Sequence, residues 1–196
     1  MLKFLKFSVA IIFAVVSAYA SAQSKAGTTI IVHGFQSGAD GWVRTMANAV
    51  SSASGGNVVR ATLTGSDSAV PINVAFDSPL YSSSASSGLG PNGSGHLILT
   101  VDWSDIDAYA VGWNGRFGYP TEIVANYLDQ AIMDQAIISQ YVYAGPIHLI
   151  GHSRGGSLVM ALANRLAKRG IWVDHQTTLD RHPVTATIGN DFPESV

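Results

Sequence analysis

The chain lacks cysteine altogether and carries little charge. With no cysteine among 196 residues, disulfides and thiol catalysis are excluded. Charged residues make up only 12% of the sequence and the formal net charge is -2. The composition therefore lacks the excess of positive charge that is typical of nucleic-acid-binding proteins. After residue 22, no apolar run reaches the length of a membrane span. The low charge and the 47% hydrophobic content instead favour one domain with a buried sheet.

The first 22 residues have the layout of a secretory signal. Lys3 and Lys6 provide a basic start, residues 7–16 form an apolar run, and small residues with A-x-A spacing end at Ala20 or Ala22. An apolar run of this length is too short to span a bilayer comfortably. We therefore expect residues 1–22 to be a signal peptide that is removed, and the protein to be secreted or periplasmic without a stable membrane span.

From residue 28 onward, short β-branched runs alternate with helical patterns. Strands are expected at residues 28–33, 57–63, 97–101, 146–150 and 176–179, with helices after Asp40 as a cap, from Pro120, and over 154–169. This alternation predicts an α/β fold, a three-layer α/β/α sandwich with a mainly parallel sheet, in a single domain over residues 28–196. Residues 64–95 lack periodicity and are rich in serine and glycine, which predicts a flexible excursion.

The run Gly151-His152-Ser153-Arg154-Gly155 lies where a buried strand turns into a helix. A G-x-S-x-G pattern is short and occurs by chance, so the strand before it and the amphipathic helix after it carry the weight. Glycines on both sides allow the backbone to bend tightly and lift the serine hydroxyl above the sheet. Ser153 is therefore the candidate nucleophile, and an ordinary Gly/Ser turn is the alternative.

A serine nucleophile needs amide donors for the oxyanion that forms on the substrate. In this architecture one donor is the N–H of the residue after the serine, here Arg154, and the other comes from the loop after an early strand. His33 and Gly34 begin such a loop, which makes the N–H of Phe35 the expected second donor, with Gln36 as the alternative. His33 itself is expected to shape the loop rather than to react.

The predicted strand at 176–179 is followed by an acid. Ligands of open α/β sheets gather beyond the carboxyl ends of the strands, so Asp180 is expected at the same edge as Ser153 and Phe35. Asp180 is therefore the candidate acid of a catalytic triad, with a capping or loop-bracing role as the alternative. Asp174 precedes the same strand and belongs to the opposite edge. Asp102 also ends a predicted strand, but Trp103 and Asp105 beside it indicate that this segment lines the site or holds a loop in place.

In their order along the chain, these motifs resemble lipase-type members of the α/β-hydrolase superfamily, and the pancreatic-lipase-like pattern in particular. The resemblance rests on I-I-V-H-G-F ending at Phe35, V-D-W ending at Trp103, H-L-I-G-H-S-R-G-G ending at Gly156, and T-L-D ending at Asp180. It implies the α/β-hydrolase fold and a serine esterase or lipase that needs no cofactor. Arg154 departs from the small or apolar residue common after the serine, which keeps the backbone donor and predicts an altered pocket.

The base is where the chain departs furthest from the family. The chain order of the fold is Ser, Asp, His, with the histidine on a loop after a later strand. Only His182 follows Asp180, and it would have to fold back over the serine. The sequence therefore predicts a chain truncated at its C-terminus, with the catalytic histidine beyond residue 196. The alternative is an inactive, exported binding or surface protein on the same scaffold, which explains the missing histidine without truncation.

Two other enzyme classes stay open at this point. A metal site assembled from His33, His152, Asp180 and His182 would favour metal-assisted hydrolysis, although no tight ligand spacing supports it. An amidase or peptidase would use the same triad, because fold does not decide substrate. The favoured substrate is a small-molecule or lipid ester, and the oligomeric state is left open.

Overall fold

The computed structural model describes residues 27–35, 37–65, 71–77, 96–107 and 119–182. These residues form a six-stranded sheet in the order β3-β2-β4-β1-β5-β6, with helices on its faces. The strands are β1 (Thr28–Val32), β2 (Asn57–Thr64), β3 (Asn73–Phe76), β4 (Leu97–Asp102), β5 (Ile147–His152) and β6 (His175–Leu179). The helices are α1 (Trp42–Ser54), α2 (Ser104–Asp107), α3 (Thr121–Asp134), α4 (Ala136–Ala144) and α5 (Arg154–Lys168).

The side chains of the central strands alternate between two apolar cores. In β1, Ile30 and Val32 point into the larger core, whereas Ile31 points into the smaller one. Helix α1 covers the smaller core, and α3, α4 and α5 cover the larger one. Because side chains on a strand alternate between faces, continuous apolar strands such as these need cover on both sides. The predicted α/β/α layering is confirmed.

All pairings within the sheet are parallel except that between β2 and β3. Strand β1 lies between β4 and β5, and β6 pairs with the outer side of β5. The carboxyl ends of β1, β4, β5 and β6 therefore meet at one edge of the sheet. The chain positions that follow these ends are the ones that can build a site together.

Three local features differ from the sequence predictions. Asp40 does not cap α1: Gly41 precedes the helix without a side-chain cap, and the Asp40 carboxylate pairs with Arg44 and Arg60 instead. Strand β3 lies within residues 64–95 and escaped prediction because it is a short, half-exposed edge strand. The helix after Pro120 is interrupted at Gln135, whose extended backbone separates α3 from α4.

The predicted signal peptide, residues 1–22, and most of the excursion at 64–95 lie outside the described residues. Within the part of the chain that the structure describes, every helix is too short or too polar to cross a bilayer.

Candidate active site

Ser153 occupies a strained turn between β5 and α5. Its backbone angles are φ 52° and ψ -123°, a region that side-chain-bearing residues rarely adopt. Among the described non-glycine residues, Ser153 and Asp180 are the two with positive φ. Strain of this kind costs about 1–3 kcal/mol and concentrates at functional sites. The turn leaves Ser153 half-buried at the carboxyl edge of the sheet.

The glycines around Ser153 are required by close backbone packing. A Cβ at Gly151 would overlap the carbonyl oxygen of Gly155, and a Cβ at Gly155 would overlap the carbonyl oxygen of His33. A Cβ at Gly34 would lie 2.8 Å from Cβ of Ser153. The serine turn and the loop after β1 therefore touch through their backbones, with no room for a side chain between them.

His33 lies in the core beneath the loop after β1, with no exposed surface. Its Nδ1 is 2.7 Å from the carbonyl oxygen of Gly34, and its Nε2 accepts the backbone N–H of Trp103 at 3.2 Å. The indole N–H of Trp103 donates to the carbonyl oxygen of His33 at 3.0 Å. Both ends of His33 are thus held by hydrogen bonds, and Phe35 follows at a half-buried position. Gln36 lies outside the described residues.

The Arg154 side chain turns into the core and is fully buried. Its guanidinium donates to the carbonyl oxygens of Asp107 and, at 2.6 Å, of Tyr119. It also lies over the Trp103 ring, with Cζ 5.1 Å from the ring centroid. The Arg154 side chain therefore points into the interior of the domain, and the predicted effect of Arg154 on the pocket stays a prediction. Sequence reasoning missed these partners because nothing in the chain pattern marks residues 103, 107 and 119 as neighbours of residue 154.

Asp180 follows β6 at the same edge as Ser153. The N–H of Ser153 donates to the carbonyl oxygen of Leu179 at 2.8 Å, so the segment carrying Asp180 is bonded directly to the serine turn. The Asp180 side chain is 83% exposed, and its Oδ1 is 3.9 Å from Nδ1 of His182. Arg181 packs against Gly156, so the chain after β6 folds back over the start of α5.

The six histidines all lie in the described part of the chain, and there none of them makes a hydrogen bond to Ser153. His152 packs edge-on against Trp42, with ring centroids 5.8 Å apart. His96 bonds to Thr29 and His148 to Thr177, at the other end of the strands. Burial lowers the pKa of both His96 and His148 below the usual histidine value. Two histidines thus lie next to the serine turn, His33 below it and His152 within it.

No group of three or more histidine, aspartate or glutamate side chains in the described residues is arranged to hold a metal ion. The four residues of the alternative metal site lie in different environments, because His33 is fully buried whereas Asp180 and His182 are about 80% exposed.

Two cavities, of about 570 and 440 Å³, lie at the opposite edge of the sheet. The larger is lined by Thr29, His96 and Ile147, which stand at the amino ends of β1, β4 and β5. The smaller is lined by Gly145, Pro146 and Trp172. Ser153 lines neither of these two cavities.

Asp102 braces the end of β4 beside the loop after β1. Its carboxylate accepts hydrogen bonds from the backbone N–H and hydroxyl of Ser104 and pairs with the guanidinium of Arg60. His33 Nε2 lies 3.4 Å from Oδ1 of Asp102. The His33 contact, followed by the bonds from Arg60 and Ser104, holds the pKa of Asp102 well below its usual range, against the opposing effect of burial.

Replacing Asp102 by asparagine is expected to reduce stability in a pH-dependent way. At pH 7 the Asp102→Asn protein should lose about 1–3 kcal/mol of unfolding free energy, because the carboxylate is favoured in the folded state. Because the pKa of Asp102 is lowered in the folded state, its carboxylate stabilises the fold fully at pH values above the unfolded-state pKa of 3.8. This stabilisation is lost progressively as the pH falls below 3.8. Urea unfolding at pH 7, 5 and 3 should show the difference shrinking only at pH 3. A difference that is constant across this range would contradict the account.

No protein-family model and no curated protein matches the chain. Two solved structures resemble it. One is a gene product of Listeria innocua, 16% identical, with a TM-score of 0.48 over 76% of this chain and 48% of the other. The second is a candidate cell surface hydrolase from Lactobacillus plantarum WCFS1, 16% identical, with a TM-score of 0.44 over 79% of this chain and 53% of the other. The chain spans about half the length of these two proteins. At this identity and TM-score, neither likeness decides the function of the chain.

Proposed function

We propose that the protein is an exported serine hydrolase that cleaves carboxylic esters through an acyl-enzyme on Ser153. One observation carries the proposal: the strained turn at Ser153, with φ 52°, packs directly on the glycine loop after β1. A costly backbone conformation at a hydroxyl-bearing residue, in contact with a glycine loop at the same edge of the sheet, suits acyl transfer.

In the proposed reaction, Oγ of Ser153 attacks the acyl carbonyl carbon and its proton passes to a base. The N–H groups of Phe35 and Arg154 stabilise the oxyanion. The C–O bond of the ester then breaks, and the alcohol leaves with the proton from the base. Water, deprotonated by the same base, attacks the acyl-serine and releases the carboxylic acid and the free hydroxyl.

Asp180 is proposed to orient the histidine that serves as this base. The Asp180–His182 pair is exposed and 3.9 Å apart, and an exposed pair of this kind is held only weakly. A base must keep a fixed hydrogen bond to the serine, which favours a histidine other than His182. In this proposal Asp180 is the acid of the triad and His182 is not its base.

The test is covalent labelling with a fluorophosphonate, which reacts with activated serines. Wild-type protein produced from its natural gene should be labelled, and peptide mass spectrometry should place the label on Ser153. Ser153→Ala should abolish labelling. Ser157→Ala, one turn further along the same helix, should retain it. His182→Ala should also retain it, whereas loss of labelling in this variant would assign His182 as the base.

The alternatives give different results in the same experiment. A folded wild-type protein that takes up no label would reject the serine hydrolase and favour the inactive binding protein. A labelled protein that cleaves p-nitrophenyl esters of short and long acyl chains supports the ester assignment. Labelling with turnover of anilides but not of esters would indicate an amidase or peptidase instead.

A further inference from the structure

We infer that Arg154 is a positioning residue whose buried guanidinium sets the spacing between the two oxyanion donors. The inference rests on the proposed function and adds a role for a side chain that the reaction itself does not touch. Its basis is a continuous set of contacts between the serine turn and the loop after β1.

The first step is the burial of the guanidinium. Arg154 has no exposed surface, although its charge is costly to remove from water. Its partners include the backbone carbonyls of Asp107 and Tyr119 and the face of the Trp103 ring. Asp107, also fully buried, adds a carboxylate to the same region, 3.7 Å from Nδ1 of His33. Charge-assisted hydrogen bonds are stronger than neutral ones, so this arrangement is rigid.

The second step leads from Trp103 to the loop. The Trp103 ring that lies under the guanidinium donates its indole N–H to the carbonyl oxygen of His33, and its backbone N–H donates to Nε2 of His33. His33 in turn contacts the carbonyl oxygen of Gly34, which precedes Phe35. The Arg154 side chain and the Phe35 backbone are therefore linked through Trp103, His33 and the carbonyl group of Gly34.

The third step is that Arg154 supplies one donor from its backbone while its side chain holds the other in place. Catalysis by an oxyanion hole depends on donors fixed at the required separation, and a misplacement of about 1 Å can cost roughly 100-fold in rate. Lysine preserves the charge but lacks the planar fork that reaches two carbonyls while stacking on a ring. Arg154→Lys should therefore disturb position without removing the backbone donor.

The experiment compares Arg154→Lys with Arg169→Lys. Arg169, just after the opposite end of the same helix, donates to both carboxylate oxygens of Asp129. We expect Arg154→Lys to lower kcat for p-nitrophenyl esters by roughly 10- to 100-fold, with KM changed less than about threefold. Arg169→Lys should lose stability but keep kcat within about twofold.

A second variant tests the same path if Arg154→Lys fails to fold. Trp103→Phe keeps an aromatic ring under the guanidinium but removes the indole donor to His33. It should lower kcat in the same way, and the double variant with Arg154→Lys should lose less than the product of the two single effects, because both act on one path.

The results separate the two proposals. An Arg154→Lys protein that unfolds more easily yet keeps wild-type kcat would overturn the positioning role and leave the hydrolase intact. Independent, multiplying effects in the double variant would also overturn it. A wild-type protein without Ser153-dependent hydrolysis would reject the proposed function, and the positioning role would fall with it.

Discussion

Ser153→Ala is expected to abolish ester hydrolysis, with kcat falling by roughly 10⁴-fold or more. Removal of a triad nucleophile leaves only binding and oxyanion stabilisation, which account for the small residual rate of such variants. The change deletes one oxygen at a half-buried position, so the fold should be unaffected. Initial rates with p-nitrophenyl esters, alongside circular dichroism of both proteins, measure the two expectations.

A second variant at the same position separates the loss of the hydroxyl from the effect of backbone strain. Glycine tolerates the angles φ 52° and ψ -123° that serine and alanine adopt only at a cost. Ser153→Gly should therefore be equally inactive but more stable than Ser153→Ala by about 1 kcal/mol in urea unfolding. Turnover persisting in either variant would remove Ser153 from the mechanism. Equal stability of the two would show that the turn holds no strain.

Gly155→Ala is expected to cost about 3 kcal/mol or more of unfolding free energy, a large share of the stability of a typical domain. The added methyl would overlap the carbonyl oxygen of His33 and lie 2.8 Å from the carbonyl oxygen of Val32. These are backbone atoms at the end of a central strand, so they cannot move aside cheaply. The serine turn would be pushed away from the loop after β1, and any folded fraction should also lose activity.

The matched control is Gly38→Ala. Nothing lies within 4 Å of a Cβ at Gly38, and its φ is not in the positive range. This variant should stay within about 0.5 kcal/mol of wild type in the same urea unfolding experiment. A Gly155→Ala protein as stable and active as Gly38→Ala would mean that the serine turn and the loop after β1 do not pack as closely as described.

Local pattern was sufficient for the central strands and for the helix after the serine. The strand predicted at residues 97–101 is found at Leu97–Asp102, and the helix predicted at 154–169 at Arg154–Lys168. These elements are continuous and apolar, or strongly amphipathic, so their period is visible within a few residues. Strand β3 and the interruption at Gln135 were not predictable in this way, since one depends on pairing with β2 and the other on packing of α3 and α4.

The chain pattern alone determined the layered architecture and identified Ser153, Gly34, Phe35 and Asp180 as residues that follow strands of one mainly parallel sheet. It did so because the carboxyl ends of parallel neighbours share an edge whatever the intervening loops contain. Only the tertiary structure decided that Arg154 is buried and that Asp180 is exposed. It also decided that Trp103 contacts Arg154 and bonds to His33, which lies 70 residues before Trp103 in the sequence. Contacts between residues so far apart depend on how the elements pack, and no local period encodes them.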